Sequence, residues 1–284
     1  YFAEAQGFEK EVCQSISEHY LPSGLDSRVP KNLYSITLSL SDKLDTLVGF
    51  FGLGLIPTGS RDPYALRRYT IALVRLIVEN KIKIKLRSII NYSLTLYKEQ
   101  GYEFDITIVI KELNNFILDR LKNYSKDKDI RLDIIESSIL SNDIDELYNG
   151  YKKAEILNRN IKKELGKDVV EIYKRSSNIL NYEINKNKLE LTDTVDTGLF
   201  KNDFEKNLYK KIQETKKYFL NFDKNDNYED SLKELFKFKQ DVNLFFDNVK
   251  VNDENELIKK NRLELLNLLC KSFDNFFNFS KIEG

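Results

Sequence analysis

The chain has 284 residues, 41% hydrophobic and 12% aromatic, and its 45 basic residues balance 45 acidic ones. That is enough apolar material for two ordinary cores, and it gives no global electrostatic pull toward nucleic acid. No apolar run approaches the roughly 20 residues that span a bilayer, the single histidine, His19, argues against a His-rich metal centre or a Ser-His-Asp triad, and the distant Cys13 and Cys270 read as reduced thiols.

Apolar residues recur at three- and four-residue spacing almost throughout, so an all-α chain is expected. Helices are predicted near 8–20, 31–50, 63–80, 86–98, 105–124, 128–140, 143–165 and 167–181, then near 201–222, 227–247 and 254–278. The polar run Ser125-Lys126-Asp127-Lys128-Asp129 marks a boundary between two helical units, 1–125 and 126–284. Phe204, Leu208, Thr215, Phe219 and Phe222 form one stripe, and Tyr228, Leu232, Leu235, Val242, Phe246 and Val249 a second. Leu263, Leu266, Leu269, Cys270, Phe273, Phe276 and Phe277 form a third, so these aromatics are expected in the core of a bundle.

The segment from Leu33 to Arg87 is the richest. Leu33, Ile36, Leu40, Leu44 and Leu47 define a buried stripe, while Leu38, Asp42, Asp45, Gly49 and Gly52 lie along another face. Gly52, Gly54, Pro57 and Gly59 then make a turn-rich connection, and Asp62-Pro63 reads as a cap followed by the first residue of a helix. That helix carries Leu66, Tyr69, Leu73, Leu76 and Ile77 on one side and Ile71, Val74 and Val78 on another, which predicts burial on most sides. From Arg61 to Arg87 the basic residues Arg61, Arg67, Arg68, Arg75, Lys81, Lys83, Lys85 and Arg87 outnumber Asp62 and Glu79, a local excess suited to phosphates or to solvent.

The run Asp42-Lys43-Leu44-Asp45-Thr46-Leu47-Val48-Gly49-Phe50-Phe51-Gly52, with Thr58-Gly59-Ser60-Arg61-Asp62-Pro63-Tyr64-Ala65-Leu66-Arg67-Arg68, resembles the central segment of the β subunit of bacterial tetrameric glycyl-tRNA synthetases. Tyr1-Phe2-Ala3, Tyr20-Leu21-Pro22, Arg175-Ser176-Ser177-Asn178-Ile179-Leu180, Phe245-Phe246-Asp247-Asn248-Val249 and Asn261-Arg262-Leu263-Glu264-Leu265-Leu266 extend the resemblance from end to end. Ser176 stands where that family usually has Val. Met is absent, position 1 included, and that subunit is longer, so the chain is expected to be a C-terminal portion of one, or a chain whose beginning is missing.

The resemblance implies an HD-like helical domain followed by a helical, DALR-like anticodon-binding domain. It implies a cytoplasmic protein that binds tRNA-Gly and works with an α subunit in an α2β2 assembly. ATP and Mg would serve the α subunit, leaving this chain without catalytic residues or a bound cofactor. The expected tRNA contacts are Arg61, Arg67, Arg68 and Arg75, and, at the start of the 254–278 helix, Lys259, Lys260, Asn261 and Arg262. Each keeps a bland alternative: Arg67 or Arg68 as an ion-pair partner of Asp42 or Asp45, the later group as a solvated helix turn. The other class of function is an HD-type metal-dependent phosphohydrolase completed by Asp42 and Asp45, which would need a His-Asp pair from outside these residues. No metal is expected at those carboxylates. A purely structural helical scaffold stands third.

Overall fold

The computed structural model describes residues 1–139, 144–220, 228–274 and 276–283. In chain order the helices are α1 (Phe2–Ala5), α2 (Lys10–Glu18), α3 (Leu33–Gly52), α4 (Leu66–Glu79), α5 (Leu86–Glu99), α6 (Ile106–Asp127) and α7 (Leu132–Ser138). They continue as α8 (Leu147–Ile161), α9 (Glu164–Asn187), α10 (Asp203–Leu220), α11 (Tyr228–Phe236), α12 (Phe238–Asn248) and α13 (Glu256–Asp274). Among the described residues there is no strand, only an isolated antiparallel bridge between Thr58 and Arg61. No helix there is long and apolar enough to cross a membrane.

Contacts divide the chain into two units, one of Tyr1–Leu132 with Ser141–Tyr151, the other of Asp133–Leu140 with Lys152–Gly284. In unit 1, α3 and α4 pack on each other and both pack on α6. Asn32 caps α3 by accepting the Tyr34 amide at 2.9 Å. The helix stops where Gly54, at φ +70°, turns left-handed and Leu55 N donates back to Phe50 O. Leu73, Val74, Leu76 and Ile77 are fully buried, so α4 is enclosed on most of its circumference. On α3, Ile36, Leu44 and Leu47 are buried as the stripe requires, but Leu33 is exposed and Leu40 half-buried. Ser35, Ser39, Lys43, Val48, Gly49 and Phe51 take the remaining inward positions.

The glycine face of α3 has a physical reason. A Cβ at Gly49 would run into the Tyr97 hydroxyl, and one at Gly52 into the Phe104 ring. Tyr97 lies close enough for its hydroxyl to donate to the Asp45 carbonyl at 3.1 Å. Two bare backbone stretches let these aromatics lie directly on the helix.

In unit 2, α9 and α13 pack together, as do α10 and α12. Phe238, Phe245, Phe273, Phe277 and Phe279 are among the fully buried side chains, which makes the aromatic stripes core. Three local expectations are corrected. The helix expected over 227–247 is two helices broken at Lys237. Phe245, rather than Phe246, fills the inward position. Of the α10 stripe, Leu208 and Thr215 are buried, Phe204 and Phe219 half-buried, and Phe222 lies outside the described residues.

The two cysteines are expected to differ in reactivity. Cys270 is buried, and burial, with the Asp274 charge beside it, pushes its thiol up to about 12, whereas Cys13 is half-exposed. Only the thiolate attacks a disulfide reagent, so one thiol should titrate promptly in the native protein and the second only on unfolding. Two prompt thiols would contradict this packing.

Candidate nucleic-acid interface

In unit 1 the candidate site is the turn between α3 and α4. Thr58 and Arg61 exchange backbone hydrogen bonds, Arg61 N to Thr58 O at 2.8 Å and Thr58 N to Arg61 O at 3.2 Å, around Gly59 at φ +50°. The next helix does not begin at Pro63. Ala65 adopts the left-handed region at φ 55°, and α4 starts at Leu66. Asp62 still caps it, reaching across the extra turn to accept the amides of Leu66 at 2.8 Å and Arg67 at 3.0 Å.

Arg67 braces this turn. Its Nη2 donates to Gly59 O at 2.7 Å and its Nη1 to Arg61 O at 3.4 Å. Its expected partners, Asp42 and Asp45, are elsewhere. Asp42 lies 3.9 Å from Lys43, and Asp45 is exposed. The expectation that one of them pairs with Arg67 or Arg68 is therefore wrong, because the turn carbonyls satisfy Arg67 first. Arg68 and Arg61 are exposed, and among the described residues neither side chain makes a hydrogen bond or ion pair. The turn thus presents two available guanidinium groups on a braced scaffold.

Arg75 does not belong to that surface. It is 7% exposed, with Nε on Glu79 Oε1 at 2.7 Å and Nη1 on Gly24 O at 2.5 Å. A buried guanidinium is held by such partners and has nothing left for a phosphate. Lys43, 2% exposed, is enclosed as well, and donates to His19 O at 3.1 Å and Ser39 Oγ at 2.9 Å. Burial lowers its pKa, with the Asp42 carboxylate opposing. Among the described residues no three His, Cys, Asp or Glu side chains gather into a metal-binding group.

The group at the start of α13 is corrected more thoroughly. Asn261, 6% exposed, accepts the Asp196 amide at 2.8 Å and donates to the Asp196 carbonyl at 3.0 Å. Arg262, 5% exposed, pairs with Glu205 and Asp253, both at 2.7 Å, and donates to Lys250 O at 2.9 Å. Both side chains are struts inside unit 2, with no face for a base. Lys259 is tied to Glu183 at 2.8 Å, a contact that holds the Glu183 carboxyl below its usual range. Lys260 alone of the four is exposed without a partner among the described residues.

The structure also joins Arg175, to which sequence reasoning gave no role, with Phe246, which it assigned to the core. Arg175 on α9 places its guanidinium 4.2 Å from the centre of the Phe246 ring on α12. The signal available beforehand was the polar face Arg175, Asn178, Tyr182, Lys186 at helical spacing.

Two family matches cover most of the chain. Residues 1–140 match the family described as glycyl-tRNA synthetase beta subunit, and residues 169–283 match the DALR anticodon binding domain. The chain is 34% identical over 282 residues to the glycine–tRNA ligase beta subunit of Rickettsia typhi, and 33% over 282 residues to that of Rickettsia prowazekii. The protein of that name from Rickettsia canadensis is 34% identical over 283 residues. In each case the match covers 99% of this chain and 40% of the relative, so the chain spans about two fifths of their length.

Proposed function

The chain belongs to the glycyl-tRNA synthetase beta-subunit family, and from that membership we propose that it is a tRNA-binding part of a glycine–tRNA ligase. The proposed ligand is tRNA-Gly, held by its phosphate backbone at the braced turn of unit 1 and by an anticodon-binding fold in unit 2. The proposed partner is an α subunit, in a cytoplasmic α2β2 assembly. That subunit would use ATP and Mg to activate glycine and charge the tRNA, and this chain would contribute affinity and selection, with no catalytic residue of its own. The observation that carries the reading is the pair Arg61 and Arg68, exposed and without a side-chain partner among the described residues, beside a turn that Arg67 fixes. The relatives are ligase subunits, and no observation favours the phosphohydrolase alternative.

The test is a gel shift of tRNA-Gly and a non-cognate tRNA at two or more salt concentrations. Arg61→Glu and Arg68→Glu are each expected to weaken both tRNAs alike and to lower the slope of log affinity against log salt. The slope should fall by about 1 per lost phosphate contact. Arg75→Met should leave the slope unchanged in protein that remains folded, because its charge faces Glu79. Unchanged affinity and slope in both charge-reversed variants would overturn the assignment of the turn.

A further inference from the structure

We propose that the outer face of α9, centred on the Arg175–Phe246 pair, is a stacking site for an unpaired nucleobase of an RNA loop. The proposal rests on the tRNA-binding reading above and adds a site and a ligand chemistry to it.

Three observations carry it. Arg175 is exposed, and among the described residues it makes no hydrogen bond or ion pair; its guanidinium carbon sits over Phe246, 4.2 Å from the ring centre. A guanidinium held this way is a planar cation with its N–H donors still unused, which suits it to cover a base face or reach a base edge. Secondly, the cleft beside the pair has a volume of about 130 Å³, room for one ring system. Its charged lining balances, Asp168 and Glu171 against Arg175 and Lys239, with Lys239 bonded to Asp168 at 2.6 Å. Such a cleft disfavours a phosphate and accepts an uncharged ring, and Asn243 on its wall offers an amide that can donate and accept. Thirdly, the same face of α9 presents a second platform two turns on. Tyr182 is 59% exposed, with Lys186 Nζ 5.3 Å from its ring centre. Seven residues of helix separate the platforms by about 10 Å, a distance that neighbouring bases of a splayed loop can bridge.

The experiment uses the full chain and the isolated anticodon stem-loop of tRNA-Gly, intact, with single loop bases removed, and with 2-aminopurine at single loop positions. Arg175→Ala and Phe246→Leu are each expected to weaken the intact stem-loop about tenfold, the worth of one stacked base. Arg175→Lys should recover little, because it restores the charge without the plane. For the stem-loop lacking the bound base, wild type and variants should bind alike. 2-Aminopurine at that position should lose fluorescence on binding wild type and keep it with Arg175→Ala. Equal losses on every stem-loop, or no loss, would overturn the stacking site. If Arg61→Glu weakens tRNA-Gly while Arg175→Ala leaves the stem-loop unaffected, the stacking site falls and the tRNA-binding reading stands. If wild type binds neither RNA, both fall.

Discussion

Arg262→Ala is expected to lower the stability of unit 2 by about 3–5 kcal/mol, the usual cost of removing one partner from a buried ion pair. Glu205, Arg262's main partner, is fully buried and has a second task. Its Oε2 accepts the amides of Lys201 at 2.7 Å and Asn202 at 3.1 Å, while Asn202 Oδ1 accepts the Glu205 amide at 3.1 Å. That is a reciprocal capping box at the start of α10, and Arg262 neutralises its carboxylate. Without the guanidinium the box keeps its geometry around a buried, unpaired charge. Urea unfolding followed by circular dichroism measures the loss. The double variant Arg262→Met with Glu205→Leu should recover part of it, since no fully buried charge is then left uncompensated, while Asp253 keeps its access to solvent and the amides of Lys201 and Asn202 lose their acceptor. A single variant within about 0.5 kcal/mol of wild type, the range of an ordinary surface change, would show the pair to be dispensable.

Gly166→Ala should destabilise unit 2 by about 2 kcal/mol, although Ala is favoured over Gly by about 1 kcal/mol inside an ordinary helix. The sign reverses because of what a Cβ would meet. It would lie 2.5 Å from Ile161 Cα and 2.9 Å from Asn160 C, and against the Asn160 carbonyl oxygen. These are backbone atoms at the end of α8, and no rotamer change moves them. Asn160 O is already held by the Lys163 amide at 3.0 Å, so accommodation requires α9 to shift at its start. Thermal melts of Gly166→Ala beside Lys167→Ala, an exposed neighbour, check this. A Gly166→Ala protein as stable as wild type would mean that the α8–α9 connection yields easily.

The fold was largely legible because helix periodicity is a local signal, and α4, α6 and α13 follow it closely. Its failures have specific causes. Apolar spacing runs unbroken from Leu235 through Phe238 to Val242, so nothing in the pattern marks the break at Lys237. Ala65 is left-handed without the glycine that usually announces such a residue. The candidate site was less legible. Local reading saw Arg61 and Lys260 as surface cations and left Arg68 open between a phosphate contact and an ion pair; all three are exposed. It could not see that Arg262 meets Glu205, 57 residues away in sequence, or that Asn261 meets Asp196. Buried ion-pair partners carry no spacing rule, so a basic residue on a helix looks the same whether it faces water or a carboxylate.

The segment between α9 and α10 has a consequence for how the protein is made. Glu264 accepts the Thr192 amide and hydroxyl and the Asp193 amide at 2.6, 3.0 and 2.9 Å, and Lys271 and Asn267 hold the Asp193 carboxylate. With the Asn261–Asp196 clasp, these bonds reach back 65 to 78 residues. At roughly 5–20 residues per second, a ribosome takes several seconds to deliver α13 after the segment it pins. During that interval the amides of Thr192, Asp193 and Asp196 lack these partners, and the parts of α9 and α10 that pack on α13 stand without that cover. Unit 2 therefore closes late in synthesis, and a nascent chain stalled before Asn261 is the species on which a chaperone or a protease would act.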